Sequence, residues 1–408
     1  MEDKLAEYAK LIVRTGVNVQ KGQILVVRCS VECADFARRV AKEAYDAGAK
    51  ETVLLWTDDA LDRMKFLQAD DSIFDEMPAW LKTFYYEYAD KKAALIAIHS
   101  SDPENFKGVN PDRIKRSTMS RGKELKRYME MQTSYQFPWN VASVPSAAWA
   151  KKVFPGKNAG EAEVMLWEAI FAAVRVTGDG KAEERWHEHS ANLKKRAKVL
   201  NDNNFAKLVY KNSLGTDLTV ELAEKHTWIC GDKIAGTGVS FFANMPTEET
   251  FTIPKKTGIN GTICSSIPLA LDGNLVTDIR FTVKDGKIID AKASEGQETL
   301  LQKLDVDEGA RYFGEVALVP YKSPISDTGI LFYNTLFDEN ASCHFAFGKA
   351  YPAFTDANTA PPEELKKRGM NDSMIHVDFM VGTADLSITG ITTDGREVPV
   401  FVNGNFAF

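Results

Sequence analysis

The 408-residue sequence contains only five cysteines, and they are scattered along the chain. Their number is odd, and no two of them form a CxxC pair. Neither a disulfide framework nor a cysteine zinc site is therefore supported. We expect the thiols to be reduced and mostly packed in the core. The cysteines are Cys29, Cys33, Cys230, Cys264 and Cys343.

The sequence also lacks long apolar runs. No uninterrupted apolar stretch reaches the length that spans a bilayer, and the first ten residues, MEDKLAEYAK, are charged rather than signal-like. We therefore expect a cytoplasmic protein with no membrane association. The net charge of −7 is spread along the chain, and the basic stretch at residues 112–127 has acidic neighbours at helical spacing. This pattern is typical of a solvated helix face, so no nucleic-acid partner is expected.

The common nucleotide and nucleophile motifs are missing as well. No GxGxxG opens a helix after a strand, and neither a Walker loop nor a GxSxG elbow is present. Cys343 and His344 are adjacent, and adjacent side chains of a strand point to opposite faces, so they are poorly placed to act as a thiol–imidazole pair. A packed cysteine is the better interpretation of Cys343.

What the sequence does contain is two halves with different periodicity. Up to about residue 200, short apolar runs at residues 23–27, 52–56 and 93–98 alternate with longer amphipathic stretches. Strands separated by helices require crossover connections. Residues 1–203 are therefore predicted to form an α/β N-terminal domain with a mostly parallel sheet, including a helical segment at residues 158–200.

In the second half, β-branched and aromatic runs are separated by dipeptides that favour tight turns between antiparallel strands. These dipeptides are Asp272-Gly273, Asp285-Gly286, Asp394-Gly395 and Asn403-Gly404. We expect two helices to interrupt the strands, near residues 297–303 and 363–368. Residues 204–408 are therefore predicted to form a mainly antiparallel β (α+β) C-terminal domain.

The stretch MIHVDFMVG at residues 374–382 holds an imidazole and a carboxylate two residues apart. On a strand, His376 and Asp378 point to the same face, about 7 Å apart along the backbone. Imidazole nitrogen and carboxylate oxygen are ordinary ligands of zinc and similar ions. A buried His–Asp hydrogen bond is the simpler alternative.

Of the six histidines, only His344 and His376 lie in apolar surroundings in the β half. His187 and His189 lie in a polar helical stretch, where a spacing of two does not place them on one helix face. We expect both of these side chains to be solvated.

Carboxylates accompany the two histidines of the β half. Glu315 lies inside an otherwise apolar strand-like run, where it needs a partner to offset its desolvation. Glu339 precedes His344 by five residues, and Glu248 and Glu249 lie in a proline-marked turn before a strand. Such a set suits two divalent cations that share a bridging carboxylate. Separate ion pairs or turn residues are the alternative, which is favoured for Glu248 and evenly balanced for Glu339.

These segments resemble the M29 family of metallo-aminopeptidases, the group of aminopeptidases T, S and PepS. The opening of the chain, residues 5–23, is similar to that family too, so the resemblance covers essentially the whole chain. The family usually has glycine where Glu248 stands, and the register with Pro246-Thr247 favours Glu249 as the ligand. The matching segments are residues 245–249, 314–319, 338–348, 350–351 and 375–382.

The resemblance implies a homodimeric metallo-aminopeptidase that hydrolyses N-terminal residues from short peptides through a dinuclear site and metal-activated water. It also implies that residues 204–408 are the metal-binding catalytic domain. It implies two divalent ions, zinc, cobalt or manganese, and a catalytic candidate, Tyr351, whose alternative role is packing beside Pro352. The alternatives are another two-metal amide or phosphoester hydrolase, and a non-catalytic binding protein whose buried carboxylates form structural ion pairs. The implied metal ligands are Glu249, Glu315, Glu339, His344, His376 and Asp378.

Overall fold

The computed structural model describes residues 1–100, 102–357 and 360–408. The chain divides into two compact units, each made of three segments. The first unit comprises Met1–Ala191, Gly231–Thr247 and Ile330–Phe337. The second unit comprises Asn192–Cys230, Glu248–Gly329 and Asp338–Phe408. The division into domains at residues 203/204 stays a prediction about which parts of the chain fold independently.

Helices occur along the whole chain and are concentrated in its first half. Among the residues described, none of them combines the length and the apolar character that crossing a bilayer would require. Their bounds are α1 Glu2–Leu11, α2 Ala34–Asp46, α3 Asp59–Gln68, α4 Ala79–Asp90, α5 Pro111–Glu124, α6 Lys126–Thr133, α7 Ala147–Val153, α8 Ala159–Ala173, α9 Ala182–Asn203, α10 Gln297–Leu304, α11 Thr335–Asp338 and α12 Pro362–Lys367.

Strands dominate the second half. Their bounds are β1 Ile24–Ser30, β2 Glu51–Thr57, β3 Ala94–His99, β4 Trp139–Ser143, β5 Phe205–Lys211, β6 Asp217–Leu222, β7 Ile229–Cys230, β8 Lys233–Ile234, β9 Ser240–Phe241, β10 Thr250–Thr252, β11 Pro254–Cys264, β12 Leu269–Leu271, β13 Asn274–Val276, β14 Arg280–Lys284, β15 Lys287–Lys292, β16 Phe313–Leu318, β17 His344–Gly348, β18 His376–Met380, β19 Ser387–Thr392, β20 Glu397–Val402 and β21 Asn405–Phe406.

The first unit is built on a four-stranded parallel sheet in the order β2-β1-β3-β4. Most apolar residues of β1 and β3 are buried because these two strands lie in the middle of the sheet. Helix α2 buries Phe36, Val40 and Ala44, which recur every four residues and so line one face of the helix. The mostly parallel sheet predicted from the sequence is confirmed.

The second unit contains two antiparallel sheets. The larger has eight strands in the order β15-β14-β11-β6-β5-β19-β20-β21, and the smaller has five in the order β18-β17-β16-β10-β7. Aromatic rings connect them, since Phe281 of β14 contacts Phe347 and Phe379 edge-on, with ring centroids 6.0 and 5.2 Å apart. The mainly antiparallel β architecture predicted for this half is confirmed.

The predicted tight turns lie where strands reverse. Asp272-Gly273 joins β12 to β13 and Asp285-Gly286 joins β14 to β15, and all four residues have positive φ. Positive φ at both central residues is the requirement of the turn that matches strand twist. The prediction that only two helices interrupt this half is wrong, because the short helix α11 is a third.

Candidate metal centre

One face of the five-stranded sheet carries four of the predicted metal ligands. Glu315 lies on β16, His344 begins β17, and His376 and Asp378 lie on β18. The register pairs Glu315 with Ala346 and Ala346 with Asp378. The two carboxylates therefore lie on either side of the small side chain of Ala346 on β17. The alternation of side chains along a strand brings these groups to the same face. The intervening residues of the three strands face the apolar core of the unit.

A bulge at Gly314 turns Glu315 toward the site. Phe313 pairs with Phe347 and packs in the core, and the register shifts before Glu315. Without that shift Glu315 would lie on the core face with Phe313, two residues before it. A Cβ at position 314 would lie 2.4 Å from the carbonyl oxygen of Lys349. Glycine is therefore sterically required at the residue that re-aims the carboxylate.

Two further carboxylates reach the site from outside the sheet strands. Glu249 immediately precedes β10, and Glu339 begins the 3₁₀ turn Glu339–Ala341. Both are buried. The fully buried Asn340 links their segments, since its Oδ1 accepts a 2.7 Å hydrogen bond from the backbone N–H of Glu248 and its Nδ2 donates to Oε1 of Glu339 at 3.4 Å. Sequence reasoning missed Asn340, because nothing in its local pattern distinguishes it from an ordinary turn residue.

Backbone carbonyls fix the orientation of both imidazoles. Nδ1 of His344 lies 3.0 Å from the carbonyl oxygen of Ser342, and Nδ1 of His376 lies 2.6 Å from that of Lys349. A carbonyl oxygen only accepts, so each Nδ1 carries the hydrogen and donates. Each Nε2 is then directed at the carboxylates. This is the arrangement of metal-binding histidines, whose second nitrogen donates to a carbonyl or carboxylate.

Two carboxylates lie between the imidazoles. Nε2 of His344 is 3.6 Å from Oε1 of Glu315 and 4.0 Å from Oδ1 of Asp378. Nε2 of His376 is 3.8 Å from Oε2 of Glu315 and 3.4 Å from Oδ2 of Asp378. Each carboxylate therefore turns one oxygen toward each imidazole. Glu249 approaches only the first imidazole, its Oε2 lying 3.1 Å from Nε2 of His344.

These groups form two overlapping sets of potential ligands. Glu249, Glu315 and His344 offer atoms that all lie within 4.8 Å of one another, and so do Glu315, His376 and Asp378. Glu315 belongs to both sets. Nε2 of His344 and Oδ1 of Asp378 are buried and have no hydrogen-bond partner among the residues described. Two such acceptors 4.0 Å apart fit a divalent cation, whose bonds to nitrogen and oxygen are each about 2 Å.

The electrostatics of the bare ligand set show how crowded its negative charge is. Burial, and then the charges of Glu249 and Asp378, raise the pKa of Glu315 to about 7. Burial and the charge of Asp378 also raise the pKa of Glu339. Burial acts in the opposite direction on His376, but the carboxylates of Asp378 and Glu315 outweigh it and raise the pKa of that imidazole to about 10. The raised pKa values of Glu315, Glu339 and His376 mean that these groups hold protons more tightly, which reduces the negative charge that bound cations would balance.

The carboxylates have the same effect on His344, since the hydrogen bonds that its protonated form would donate to Glu249 and Glu315 outweigh burial and raise the pKa of its imidazole. Although burial opposes it, the charge of His376 lowers the pKa of Asp378. A carboxylate-rich set with two oriented imidazoles suits divalent metals that accept oxygen and nitrogen ligands. The structure thus brings together five of the predicted ligands in the two sets, with Glu339 buried beside them.

Tyr351 lies next to one of the imidazoles. Its ring meets that of His376 edge-on, with centroids 5.1 Å apart, and it meets Phe251 at 6.4 Å. The residue is half-buried. A catalytic role for its hydroxyl stays a prediction.

The expectation that His189 is solvated is wrong. The side chain is half-buried, its Nδ1 lies 3.1 Å from Nη2 of Arg175, and its Nε2 lies 2.7 Å from the carbonyl oxygen of Thr247. Arg175 only donates, so Nε2 of His189 carries the hydrogen that Thr247 accepts. Thr247 precedes Glu249 by two residues, which makes His189 a support of that segment. The sequence signal for this contact was Trp186, one helical turn before His189, because a large apolar residue at this spacing indicates a helix face that is turned inward.

The prediction that the cysteines are mostly packed in the core is confirmed. All five cysteines are buried and none forms a disulfide. The thiol of Cys343 donates to the carbonyl oxygen of Val319 at 3.2 Å, and burial raises its pKa to about 12. A thiol with that pKa is not a ready nucleophile at neutral pH.

Comparison with known proteins places the chain among metalloproteases. The model of the family described as thermophilic metalloprotease (M29) matches residues 1–406. The chain is 45% identical to aminopeptidase AmpS of Bacillus subtilis over 407 residues, covering 99% of this chain and 98% of the relative. It is 43% identical to aminopeptidase 2 of Geobacillus stearothermophilus over 408 residues, covering 100% and 98%. The structure of wild-type AmpT from Thermus thermophilus superposes with a TM-score of 0.90 at 36% identity, covering 100% of both chains.

Proposed function

Since the chain belongs to the M29 family of metalloproteases, which its match over residues 1–406 shows, we propose that it is an aminopeptidase that releases N-terminal residues from short peptides. The chain is a metallopeptidase hydrolase by that membership. The aminopeptidase assignment is supported by relatives at 45% and 43% identity that carry this name and match nearly their full length.

We propose that the centre holds two divalent ions, and that zinc, cobalt and manganese are the candidates. The observation that carries this proposal is the position of Glu315, which directs Oε1 toward His344 and Oε2 toward His376. A carboxylate shared by two ligand sets is the usual bridge of a two-metal site. Glu249 and His344 would complete one set, and His376 and Asp378 the other. Glu339, which lies in neither set but is buried beside both, would supply a further oxygen.

Bound divalent ions would supply Lewis acidity to the scissile carbonyl and lower the pKa of water at the site. The protein itself holds the ligands in place. The carbonyl oxygens of Ser342 and Lys349 accept the Nδ1–H groups and fix which nitrogen of each histidine faces the centre. Asn340 fixes the backbone beside Glu249 and the carboxylate of Glu339.

We propose that the hydroxyl of Tyr351 donates a hydrogen bond to the oxyanion that develops on the substrate carbonyl. Its ring packs edge-on against His376, so the phenol is anchored beside the ligand set. A positioned donor of this kind acts on charge that appears only in the transition state.

The assembly and the compartment belong to the same proposal. We propose a homodimer that works in the cytoplasm. Five buried thiols without a disulfide are what a reducing compartment leads one to expect.

The proposal is tested with purified protein loaded separately with zinc, cobalt or manganese. The substrates are leucyl, arginyl and phenylalanyl anilides, their N-acetylated counterparts, a tripeptide, an intact folded protein and a phosphodiester. We expect hydrolysis of the free-amine anilides and the tripeptide only. Equal turnover of the acetylated anilides would contradict an aminopeptidase, and turnover of the phosphodiester alone would reassign the centre.

A further inference from the structure

The strand that carries His376 and Asp378 lies at the edge of its sheet. β18 is the terminal strand of the five-stranded sheet, and β17 is the one strand with which it pairs among the residues described. An edge strand presents a row of backbone N–H and C=O groups that can pair with a further extended chain. One open edge of this sheet is therefore formed by the strand that supplies two of the metal-ligand candidates.

Hydrogen bonds at the end of β18 show which backbone groups face this edge. The N–H of Val381 donates to the carbonyl oxygen of Cys343, the residue directly before β17. The carbonyl oxygen of Met380 instead accepts a 2.8 Å hydrogen bond from the N–H of Ser266, which is not part of β17. Successive residues of an antiparallel strand direct their backbone groups to opposite sides. Even-numbered residues of β18 therefore point away from β17.

The outward-facing residues include both ligand candidates of the strand. By the same alternation, Val377 and Phe379 pair with β17, and the N–H and C=O groups of His376 and Asp378 are directed to the open edge. Within the described part of the chain, no other residue is hydrogen-bonded to these four groups. The N–H of Asp378 interacts only with the carboxylate of the same residue. Ser266 thus closes the far end of the edge and leaves residues 376–378 open.

The ligand set is most exposed on the side of the same edge. The side chains of Glu315 on β16 and His344 on β17 are 6% and 1% exposed, whereas those of Asp378 and His376 on β18 are 13% and 22% exposed. Glu249 and Glu339 are buried as well. Exposure therefore increases across the sheet toward β18, so the more accessible side of the centre coincides with the unpaired edge.

A chain paired with β18 would lie next to the centre. Neighbouring strands are about 4.8 Å apart, so the backbone of such a chain would run directly beside the residues whose side chains form the second ligand set. Tyr351, the proposed oxyanion donor, packs edge-on against His376 and is half-buried. The candidate catalytic hydroxyl thus belongs to the residue that contacts the exposed imidazole, beside the open edge.

We propose that the peptide substrate binds as an extended strand along the open edge of β18, with its backbone paired to the N–H and C=O groups of His376 and Asp378. This rests on the aminopeptidase activity of the proposed function and specifies how that site recognises a peptide. Pairing of this kind reads the substrate backbone, so the residues after the first are selected by a free N–H and an extended conformation rather than by their side chains.

The first test measures binding of modified peptides to the zinc-loaded protein. The parent ligand is a leucyl-trialanine peptide whose first peptide bond is reduced to a methylene-amine, so that it binds without being hydrolysed. Two analogues carry an N-methyl group on the third or on the fourth residue. Consecutive N–H groups of an extended chain point to opposite sides, so only one of these two positions can face β18.

Methylation at the pairing position removes a hydrogen bond and introduces a clash. We expect calorimetry to show a Kd at least about 10-fold higher for one analogue and within about twofold of the parent for the other. The unaffected analogue is the control with the same chemical change. Equal affinity of the parent and both analogues, or an equal loss for both, would overturn the edge pairing.

Hydrogen exchange resolved by residue provides an independent reading on the protein side. When the reduced peptide saturates the zinc-loaded protein, the N–H groups of His376 and Asp378 should exchange at least about 10-fold more slowly, because each gains a partner. Val377 and Phe379 on the same strand are the matched controls, since their N–H groups already pair with β17, and their exchange should change much less. Unchanged exchange at His376 and Asp378 would overturn the proposal.

The failure of this proposal can be distinguished from the failure of the proposed function. Hydrolysis of unmodified leucyl-trialanine without protection of His376 and Asp378 would overturn the edge pairing and leave the aminopeptidase standing. A zinc-loaded protein that neither hydrolyses the unmodified peptide nor binds the reduced one would overturn both.

Discussion

Nε2 of His344 lies 3.6 Å from Oε1 of Glu315, and both atoms are acceptors when the imidazole is neutral. The imidazole has donated its Nδ1–H to the carbonyl oxygen of Ser342, so its second nitrogen has only a lone pair to offer. Two buried acceptors that face each other require a cation or a proton between them. The same contact recurs between Glu315 and His376, so Glu315 faces both imidazoles and is the central residue of the proposed two-metal site.

Replacement of Glu315 by Gln should remove the bridge and leave the shape of the side chain. We expect the chain to bind at most one ion and kcat/KM to fall by at least about 100-fold, because an amide presents only one oxygen to the two ligand sets. The measurements are elemental analysis after dialysis and anilide hydrolysis. Glu298→Gln, on the first turn of α10, is the control with the same chemistry. Two tightly held ions in the Glu315 variant would contradict a bridging role.

Replacement of His376 or Asp378 by Ala should abolish hydrolysis together with the binding of the ion that their set holds, and leave the fold intact. Both side chains lie on the site face of β18, and the core face of the strand is formed by Val377 and Phe379, which the substitutions leave untouched. Metal analysis, activity and circular dichroism on the same preparation check this. Either variant with full activity would rule out the centre as described.

Replacement of Tyr351 by Phe separates catalysis from packing. The ring contact with His376 is preserved and only the hydroxyl is lost. If the hydroxyl stabilises the oxyanion, kcat falls by about 10²–10³ with metal content and KM unchanged. A variant with normal kcat would assign Tyr351 to packing beside Pro352, and a variant that also loses an ion would assign the hydroxyl to the metal.

Metal binding should release protons. The carboxylates of Asp378 and Glu315 raise the pKa of His376 to about 10, so this imidazole is protonated at pH 7.5 in the metal-free protein, and the pKa of His344 is raised in the same direction. An imidazole must be neutral to bind an ion, so loading displaces at least one proton, and affinity increases as the pH is raised. Calorimetry of zinc binding in buffers of different ionisation enthalpy measures this number. Binding without proton release would mean that the imidazoles are not ligands.

Replacement of Asn340 by Ala should weaken the centre without removing a ligand. The buried amide connects the backbone N–H of Glu248 to the carboxylate of Glu339. Its loss should lower metal affinity by about 10–100-fold and reduce stability by about 1–3 kcal/mol. Competition with a chelator and urea unfolding provide the two values. Unchanged affinity combined with reduced stability would show that Asn340 is purely structural.

The sequence predicted those parts of the site that depend on local periodicity. His376 and Asp378 share a face because they are two residues apart on a strand, and Nε2 of the first does lie near Oδ2 of the second, at 3.4 Å. The position of Glu315 depends on the bulge at Gly314, which only the pairing with β17 defines. The roles of Asn340 and His189 come from contacts with residues distant in the sequence, which no local pattern encodes.

The same distinction holds for the fold. Dipeptides such as Asp285-Gly286 located hairpins correctly, because their φ requirements are local. The strand β4 was not predicted, since its sequence WNVAS mixes polar and apolar residues, and its buried Asn140 donates to the carbonyl oxygen of Phe242, which is distant in the sequence. Helix α3 is likewise amphipathic in sequence, and only the packed structure shows which of its faces is turned to solvent.

Anomalous diffraction from crystals of the zinc-loaded protein, recorded on both sides of the zinc edge, tests the dinuclear centre most directly. A dinuclear centre should give two anomalous peaks per chain, one beside His344 and Glu249 and one beside His376 and Asp378, with Glu315 near both. A single peak would contradict the dinuclear centre, and peaks away from these side chains would contradict the site itself.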